Sequence, residues 1–185
     1  MTKPIDAQKI SIQGRRVLFD TNIWLMVNGY SNAVRKKSDT YSEAYSALLK
    51  NDNTVIINDY VIGEYCNRSC KIEYENHKQS SPAPDAFPHF KQYRKSQEFQ
   101  SVMESVRDTC LNLIDDCEFL PVHGGQYKIT DVLGRYCDGT LDFSDIIMAD
   151  YCTSESLVLM TDDADYAGCG LEIITANRRL LSARS

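Results

Sequence analysis

Four acidic residues, Asp20, Glu64, Asp145 and Asp163, are the side chains of this sequence best suited to chemistry. Each stands at or near a junction between a short apolar run and a helix-like pattern. Carboxylates that share one pocket repel each other, and hard divalent cations with oxygen ligands are the natural compensation. The residue types therefore predict a Mg²⁺ or Mn²⁺ site, provided that the fold brings the four acids together.

Every one of these acids also has a simpler interpretation. Asp20 alone is explained as a helix cap, and Glu64 alone as the ion-pair partner of Arg68, four residues later. Asp145 alone is explained as a favourable charge at a helix N-terminus, and Asp163 as an ordinary turn residue. The metal-site prediction therefore depends on the convergence of all four rather than on any one of them.

The elements that must position these acids are short apolar runs that alternate with helical patterns, which is typical of a parallel sheet covered on both faces. Asp20 ends the first run, Glu64 lies early in the helix after the second, and Asp145 begins the helix that leads to the fourth. With right-handed crossovers, these positions and Asp163 meet at the carboxyl edge of the sheet. The predicted strands are residues 16–19, 54–57, 118–122, 157–160 and 171–174.

Helical periodicity and cap residues predict the helices that cover this sheet. The longest apolar stripe runs from residue 90 to about residue 116 and follows a loop, 80–88, that contains three prolines. The other predicted helices are residues 21 to about 29, 40–50, 58 to about 76, 126–137, 145–151 and 177–181.

Length and composition predict one globular domain. A chain of 185 residues with 43% hydrophobic content can bury a real core, so we expect a single domain at residues 15–185 after a polar extension at residues 1–14. The polar start and the lack of a long apolar run predict a cytoplasmic protein without a membrane segment. Seven cysteines without C-x-x-C spacing predict reduced, buried thiols rather than a zinc site.

The net charge of −6 argues against a protein that coats nucleic acid by bulk electrostatics, although local basic clusters can still hold phosphates. Residues 35–37 are predicted to be a solvated loop, with phosphate contact as the alternative. Residues 89–95 interleave aromatic and basic side chains, as in the solvated first turns of an amphipathic helix or in a stacking surface for bases. The candidate nucleic-acid-binding residues are Arg35, Lys36, Lys37, Lys91, Arg94 and Lys95.

Taken in order, four segments of the sequence resemble a PIN domain, over about residues 16–181. They are VLFDTN at 17–22, Glu64 within a helix, DFSDIIMA at 142–149 and LMTDDADY at 159–166. The ordered set is specific, whereas any single motif is weak. The resemblance implies a three-layer α/β/α sandwich with a central, mostly parallel, five-stranded sheet.

The same resemblance implies a metal-dependent ribonuclease that hydrolyses phosphodiesters with one or two Mg²⁺ or Mn²⁺ ions. The four acids named first match the family's catalytic and metal-binding acids, with Asp163 as the fourth and the adjacent Asp162 as its alternative. Asp142, one helical turn before Asp145, is a further candidate ligand. Thr21 and Asn22 are candidates to orient Asp20 or a metal-bound water.

PIN-like proteins include the toxins of many bacterial toxin–antitoxin pairs, so the expected partners are an RNA substrate, an antitoxin protein and a second copy of the chain in a homodimer. The N-terminal extension and the long segment between Glu64 and Asp145 depart from the compact toxins. A non-catalytic PIN-like module that binds RNA or protein is the alternative, and the intact acids argue against it. A haloacid-dehalogenase-type phosphatase would need an acid in place of Asn22, and a dinucleotide-binding fold a glycine-rich turn there.

Overall fold

The buried apolar runs form one all-parallel sheet at the centre of the molecule. In the computed structural model, which describes residues 3–30 and 35–182, six strands pair in the order β1-β6-β5-β2-β3-β4. The strands are β1 (Ile5–Asp6), β2 (Arg16–Phe19), β3 (Thr54–Ile57), β4 (Glu118–Phe119), β5 (Val158–Met160) and β6 (Ile173–Thr175). The prediction of an α/β fold with a parallel sheet is confirmed.

Helices connect the strands and flank the sheet. They are α1 (Thr21–Val27), α2 (Arg35–Lys50), α3 (Asp59–Ser80), α4 (Phe90–Tyr93), α5 (Glu98–Asp116), α6 (Ile129–Tyr136), α7 (Phe143–Ser154) and α8 (Arg178–Ser182). Two short 3₁₀ turns lie at Pro84–Ala86 and Ala164–Tyr166. No helix in the described part of the chain is long and apolar enough to cross a membrane.

Strand β2 is the middle of the fold and carries the first acid. It pairs with β3 on one side and with β5 on the other, and its residues Val17, Leu18 and Phe19 have no exposed surface. The backbone N–H of Asp20 donates to Met160 O at 2.9 Å, which extends the pairing one residue past the strand. Because all strands are parallel, their carboxyl ends meet at the same edge, and Asp20 lies on it.

The predicted strand count of five is wrong by one, because the polar N-terminal segment supplies an edge strand. In β1, Ile5 pairs with Ile174 and Asp6 pairs with Thr175 of β6. A strand of two residues is too short to show alternation in the sequence. The third predicted strand is also shorter than expected, since pairing ends near Leu120, before Pro121, which has no N–H to donate.

Three of the predicted helices also differ from the structure. The predicted helix over residues 90–116 is broken at residues 94–97 into α4 and α5, and the Ser96 hydroxyl accepts from the backbone N–H of Phe99 at 3.2 Å at the start of α5. Helix α2 begins at Arg35 rather than at Thr40, so residues 35–37 form its first turn instead of a loop. Helix α6 begins at Ile129, three residues later than predicted.

The core has one large cluster around the sheet and two smaller ones. Tyr74, Tyr93 and Phe99 form a cluster where α3, α4 and α5 meet, and the third lies between α6 and α7. All seven cysteines are free, as predicted, but only Cys110 and Cys152 are buried, Cys137 is exposed and the other four are partly exposed.

Candidate functional site

A pocket of about 190 Å³ opens at the carboxyl edge of the sheet, and three of the four predicted acids line it. Asp20 follows β2, Glu64 lies in the second turn of α3, and Asp145 lies in the first turn of α7. The apolar side chains of Met148 and Leu159 form part of the wall. The fold therefore brings residues that are far apart in sequence into one partly apolar, acidic pocket.

The Asp20 carboxylate is held by side chains rather than by a helix end. It occupies the N-cap position of α1 but makes no side-chain capping hydrogen bond, so the helix-cap interpretation is wrong. Its Oδ2 accepts from Asn22 Nδ2 and from Thr161 Oγ1, both at 2.6 Å. Among the described residues no donor reaches Oδ1, so this oxygen is the one available to a ligand.

Burial raises the pKa of Asp20 from 3.8 to about 6. The Thr161 hydrogen bond acts in the opposite direction, since it favours the ionised form. Repulsion from Glu64, Asp145 and Asp163 makes a smaller contribution to the same rise in the pKa. The four predicted acids are thus close enough for their charges to act on one another.

Asp145 is in a similar environment on the other side of the pocket. Burial raises its pKa to about 6, and repulsion from Asp163, Asp142 and Glu64 adds to this, whereas a hydrogen bond from Tyr166 Oη at 3.1 Å opposes it. Tyr166 is itself buried, and burial is the main reason why the pKa of its hydroxyl is raised. Tyr166 therefore donates its proton to Asp145 and does not compete as a second anion.

Glu64 is the most exposed acid of the pocket, with 48% of its side chain accessible. Asn58 caps α3 by accepting from the backbone N–H of Val61 at 2.9 Å, which fixes the start of the helix that carries Glu64. Glu64 Oε2 accepts from Thr21 Oγ1 at 2.9 Å, and Oε1 is 3.4 Å from Arg68. The simple ion pair with Arg68 is present, but an exposed pair of this kind contributes little to stability.

The structure separates the two adjacent candidates for the fourth acid. Asp162 turns toward α2, where its Oδ2 lies 2.7 Å from Lys37 Nζ and its Oδ1 accepts from Tyr41 Oη at 2.8 Å. Asp163 instead raises the pKa values of Asp20 and Asp145, although it does not line the pocket. Its Oδ1 accepts from the N–H of Asp165 at 2.9 Å, so it is also the turn residue of the simpler interpretation.

The remaining predicted site residues lie around these acids. Asp142 is exposed at the N-cap position of α7 and contributes to the raised pKa of Asp145. Asn22 contacts Asp20 as expected, whereas Thr21 donates to Glu64 instead.

Two residues that orient the acids were not singled out from the sequence. Thr161 has no exposed surface, and its hydroxyl donates to Asp20 and accepts from the N–H of Asp163 at 3.0 Å. Tyr166 donates to Asp145. A polar residue directly after an apolar strand was the available signal for Thr161, whereas the position of Tyr166 depends on the 3₁₀ turn.

The donor set of the pocket fits a hard divalent cation in its chemistry. Within the described residues, no group of three or more His, Cys, Asp or Glu side chains is placed so that it could hold a metal ion. Mg²⁺ commonly binds one or two carboxylates and completes its coordination with water and substrate phosphate. Asp20 and Asp145 line the same pocket, and neither has an ion-pair partner among the described residues, so they supply that number of carboxylates.

The predicted nucleic-acid-binding residues are divided between two regions. Lys37 is paired with Asp162, and the side chains of Arg35 and Lys36 lie outside the described residues. The other three are exposed at α4 and just after it, but they do not line the acidic pocket: Lys91, Arg94 and Lys95. Tyr93 is buried in the second core cluster, with Phe90 packed against it, so these rings are not an exposed stacking surface.

Comparison with known proteins gives a likeness of fold only. No protein-family model matches the sequence, and no curated protein matches it. A chain in the crystal structure of VapBC2 from Rickettsia felis, bound to a DNA fragment from their promoter, is similar with a TM-score of 0.50 and 15% identity. The match covers 86% of this chain and 98% of that chain. The fold is PIN-like. At 15% identity the function of a PIN-like chain has to be argued from its pocket.

Proposed function

We propose that this PIN-like protein is a metal-dependent endoribonuclease that hydrolyses RNA phosphodiester bonds at the acidic pocket. The observation that carries the proposal is the pair Asp20 and Asp145, which share one pocket and whose pKa values are both raised to about 6 by burial and by repulsion between acids. Perturbed acids in a cleft are typical of functional sites, and buried repulsion without a compensating cation destabilises a fold.

In this proposal Asp20 and Asp145 hold one or two Mg²⁺ or Mn²⁺ ions, and Glu64 and Asp163 complete the site directly or through water. When bound, the cation supplies Lewis-acid activation of water and stabilises the charge that develops on the phosphate oxygens. Asn22 and Thr161 hold Asp20 Oδ2, which keeps the other oxygen available for the ion. Tyr166 orients Asp145 in the same way.

The test is an assay of the purified protein on end-labelled single-stranded RNA. We expect cleavage with Mn²⁺ or Mg²⁺ and none with excess chelator. Asp20→Asn keeps an oxygen that can accept from Asn22 and Thr161, yet we expect it to lower the rate at least about 100-fold, because even residues that only orient metal ligands cost 10–100-fold. Asp115→Asn, at an exposed position on α5, is the matched control and should cleave like the wild type.

Two outcomes would contradict the proposal. Hydrolysis that persists in excess chelator would show that cleavage does not need a metal ion. RNA binding without any metal-dependent cleavage would instead favour the alternative, a non-catalytic PIN-like module for RNA or protein.

We further propose that the protein is the toxin of a bacterial toxin–antitoxin pair, with an antitoxin protein as its partner. The likeness of fold to a chain of VapBC2 supports this role. Expression of the wild-type chain should then arrest bacterial growth, and expression of Asp20→Asn should not. Equal growth with both chains would contradict the toxin role without affecting the proposed ribonuclease activity.

A further inference from the structure

A second, larger pocket of about 580 Å³ lies at the same edge of the sheet as the acidic one. It is found where β1 and β6 end and where α2 and α8 begin. Its lining includes Lys37 from α2 and both Arg178 and Arg179 from α8. Lys37 was predicted as a solvated loop residue with phosphate contact as the alternative, whereas the two arginines had no predicted role.

This basic pocket, defined by Lys37, Arg178 and Arg179, is unusual in a chain with a net charge of −6. Asp6 is the acid in its described lining, and Asp6 Oδ1 accepts from the backbone N–H of Gln8 at 3.0 Å. Both arginines are exposed, and neither forms an ion pair within residues 3–30 and 35–182. Their guanidinium groups are therefore available to an anionic ligand.

Asp162 connects the basic pocket to the acidic one. Its carboxylate pairs with Lys37, and its backbone carbonyl accepts from Asn177 Nδ2 at 2.6 Å, directly before the two arginines. Thr161, the residue before Asp162, donates a hydrogen bond to Asp20. Asp163, the residue after it, repels the carboxylates of Asp20 and Asp145. One loop, residues 161–163, thus contacts lining residues of both pockets.

We propose that the basic pocket is a phosphate-binding subsite for single-stranded RNA, and that it holds a second phosphate of the strand that is positioned at the acidic pocket. This inference rests on the proposed ribonuclease function. A pocket of carboxylates repels a polyanion, so a basic site beside it is needed to hold the chain in place. Arginine suits this task, since its planar guanidinium donates two parallel hydrogen bonds to phosphate oxygens.

The test separates binding from cleavage. Fluorescence anisotropy with a labelled single-stranded RNA oligonucleotide is measured in the Asp20→Asn background with chelator, with and without the double substitution Arg178→Ala and Arg179→Ala. A double substitution of Lys71 and Arg107 to Ala removes the same charge from exposed positions on α3 and α5 and is the matched control. The pair Arg178→Lys and Arg179→Lys keeps the charge and serves as the rescue variant.

We expect the alanine pair at Arg178 and Arg179 to weaken binding at least about tenfold and to lower the slope of log affinity against log salt by about 0.7, the value for one phosphate contact to a single strand. The control pair should change both quantities much less, and the lysine pair should recover most of the affinity. In the cleavage assay, kcat/KM should fall more for a longer RNA than for a dinucleotide, because only the longer chain reaches both pockets.

An affinity and a salt slope equal to those of the background protein would overturn the inference, and so would equal losses in the control pair. These results are independent of catalysis. A protein that binds RNA through the two arginines but never cleaves it would refute the proposed hydrolysis and leave the phosphate subsite intact.

Discussion

At Asp20, two hydrogen bonds and three neighbouring carboxylates act in opposite directions on one ionisable group. Thr161 and Asn22 favour the charged form, whereas burial and the charges of Glu64, Asp145 and Asp163 favour the neutral one. The neutral form is favoured on balance, so the pKa is raised. The pKa of Asp20 should therefore change when a single hydrogen bond to its carboxylate is removed.

Thr161→Val is therefore expected to raise the pKa of Asp20 above about 6, because it removes the hydroxyl that favours the ionised form. It should also cost roughly 1.5–3 kcal/mol of unfolding free energy near neutral pH, the range for a hydrogen bond to a charged group. NMR titration of the Asp20 carboxyl carbon measures the pKa, and denaturant melts measure the stability. Thr21→Val, which removes a bond to Glu64 instead, is the control and should leave the pKa of Asp20 nearly unchanged.

For individual residues, the sequence predicted the position in the fold better than the direction in which the side chain points. Asp20, Glu64 and Asp145 stand at strand and helix ends, so topology alone brings them to one edge of the sheet. The choice between Asp162 and Asp163 could not be made in this way, because adjacent loop residues have no periodicity to distinguish them. Tertiary partners on α2 decide the orientation of Asp162, and a sequence does not display such partners.

Among the elements, α3, α4 and α5 pack around a small core that is separate from the main core around the sheet. This small core is the cluster of Tyr74, Tyr93 and Phe99, with the aromatic rings of Tyr93 and Phe99 5.0 Å apart. The stripe of apolar residues over 90–116 predicted one helix, because each part of it has helical spacing. The break at residues 94–97 lets Tyr93 of α4 pack against Phe99 of α5. In a continuous helix both side chains would lie on the surface of the same helix and would not pack against each other.

Phe99→Ala should test how much this small cluster contributes to stability. Phe99 has no exposed surface, and truncation of a buried Phe typically costs about 3–5 kcal/mol. Amide hydrogen exchange should rise mainly in α4 and in the adjoining part of α5, while Asp20 and its neighbours keep their protection. Phe119→Ala is the matched control, because 44% of Phe119 is exposed. A loss no larger for Phe99→Ala than for Phe119→Ala would contradict an independent aromatic core.

For the whole molecule, the carboxyl edge of the sheet carries opposite charges side by side, with the acidic pocket over β2 and β5 and the basic pocket over β1 and β6. The acidic half was predictable, since each acid follows or precedes a recognisable element. The basic half was not, because Lys37 and the pair Arg178 and Arg179 are distant in the sequence and are brought together by tertiary contacts. Asp162 pairs with Lys37 and accepts from Asn177, and Tyr41 of α2 accepts from the N–H of Ala176.

The raised pKa values of Asp20 and Asp145 make the stability of the metal-free protein depend on pH. In the unfolded chain these carboxyls ionise near 3.8, and in the folded protein near 6, so the folded state binds more protons between those values. Stability then falls as pH rises from about 4 to about 6 and remains lower above this range. For the deeply buried Asp20, the loss is roughly 3 kcal/mol.

Asp20→Asn removes one of these titrations. Its unfolding free energy should equal that of the wild type near pH 4, where Asp20 is neutral in the folded state, and exceed it by roughly 3 kcal/mol at pH 7. Added Mn²⁺ at a hundredfold excess over its dissociation constant should then stabilise the wild type by about 2.7 kcal/mol, and the variant much less. Denaturant melts across this pH range, with chelator and with Mn²⁺, measure both effects, and Asp115→Asn should follow the wild type throughout. A variant that is less stable than the wild type at pH 7 in chelator would show that the carboxylate of Asp20 stabilises the fold, and the acids would then not be in uncompensated repulsion.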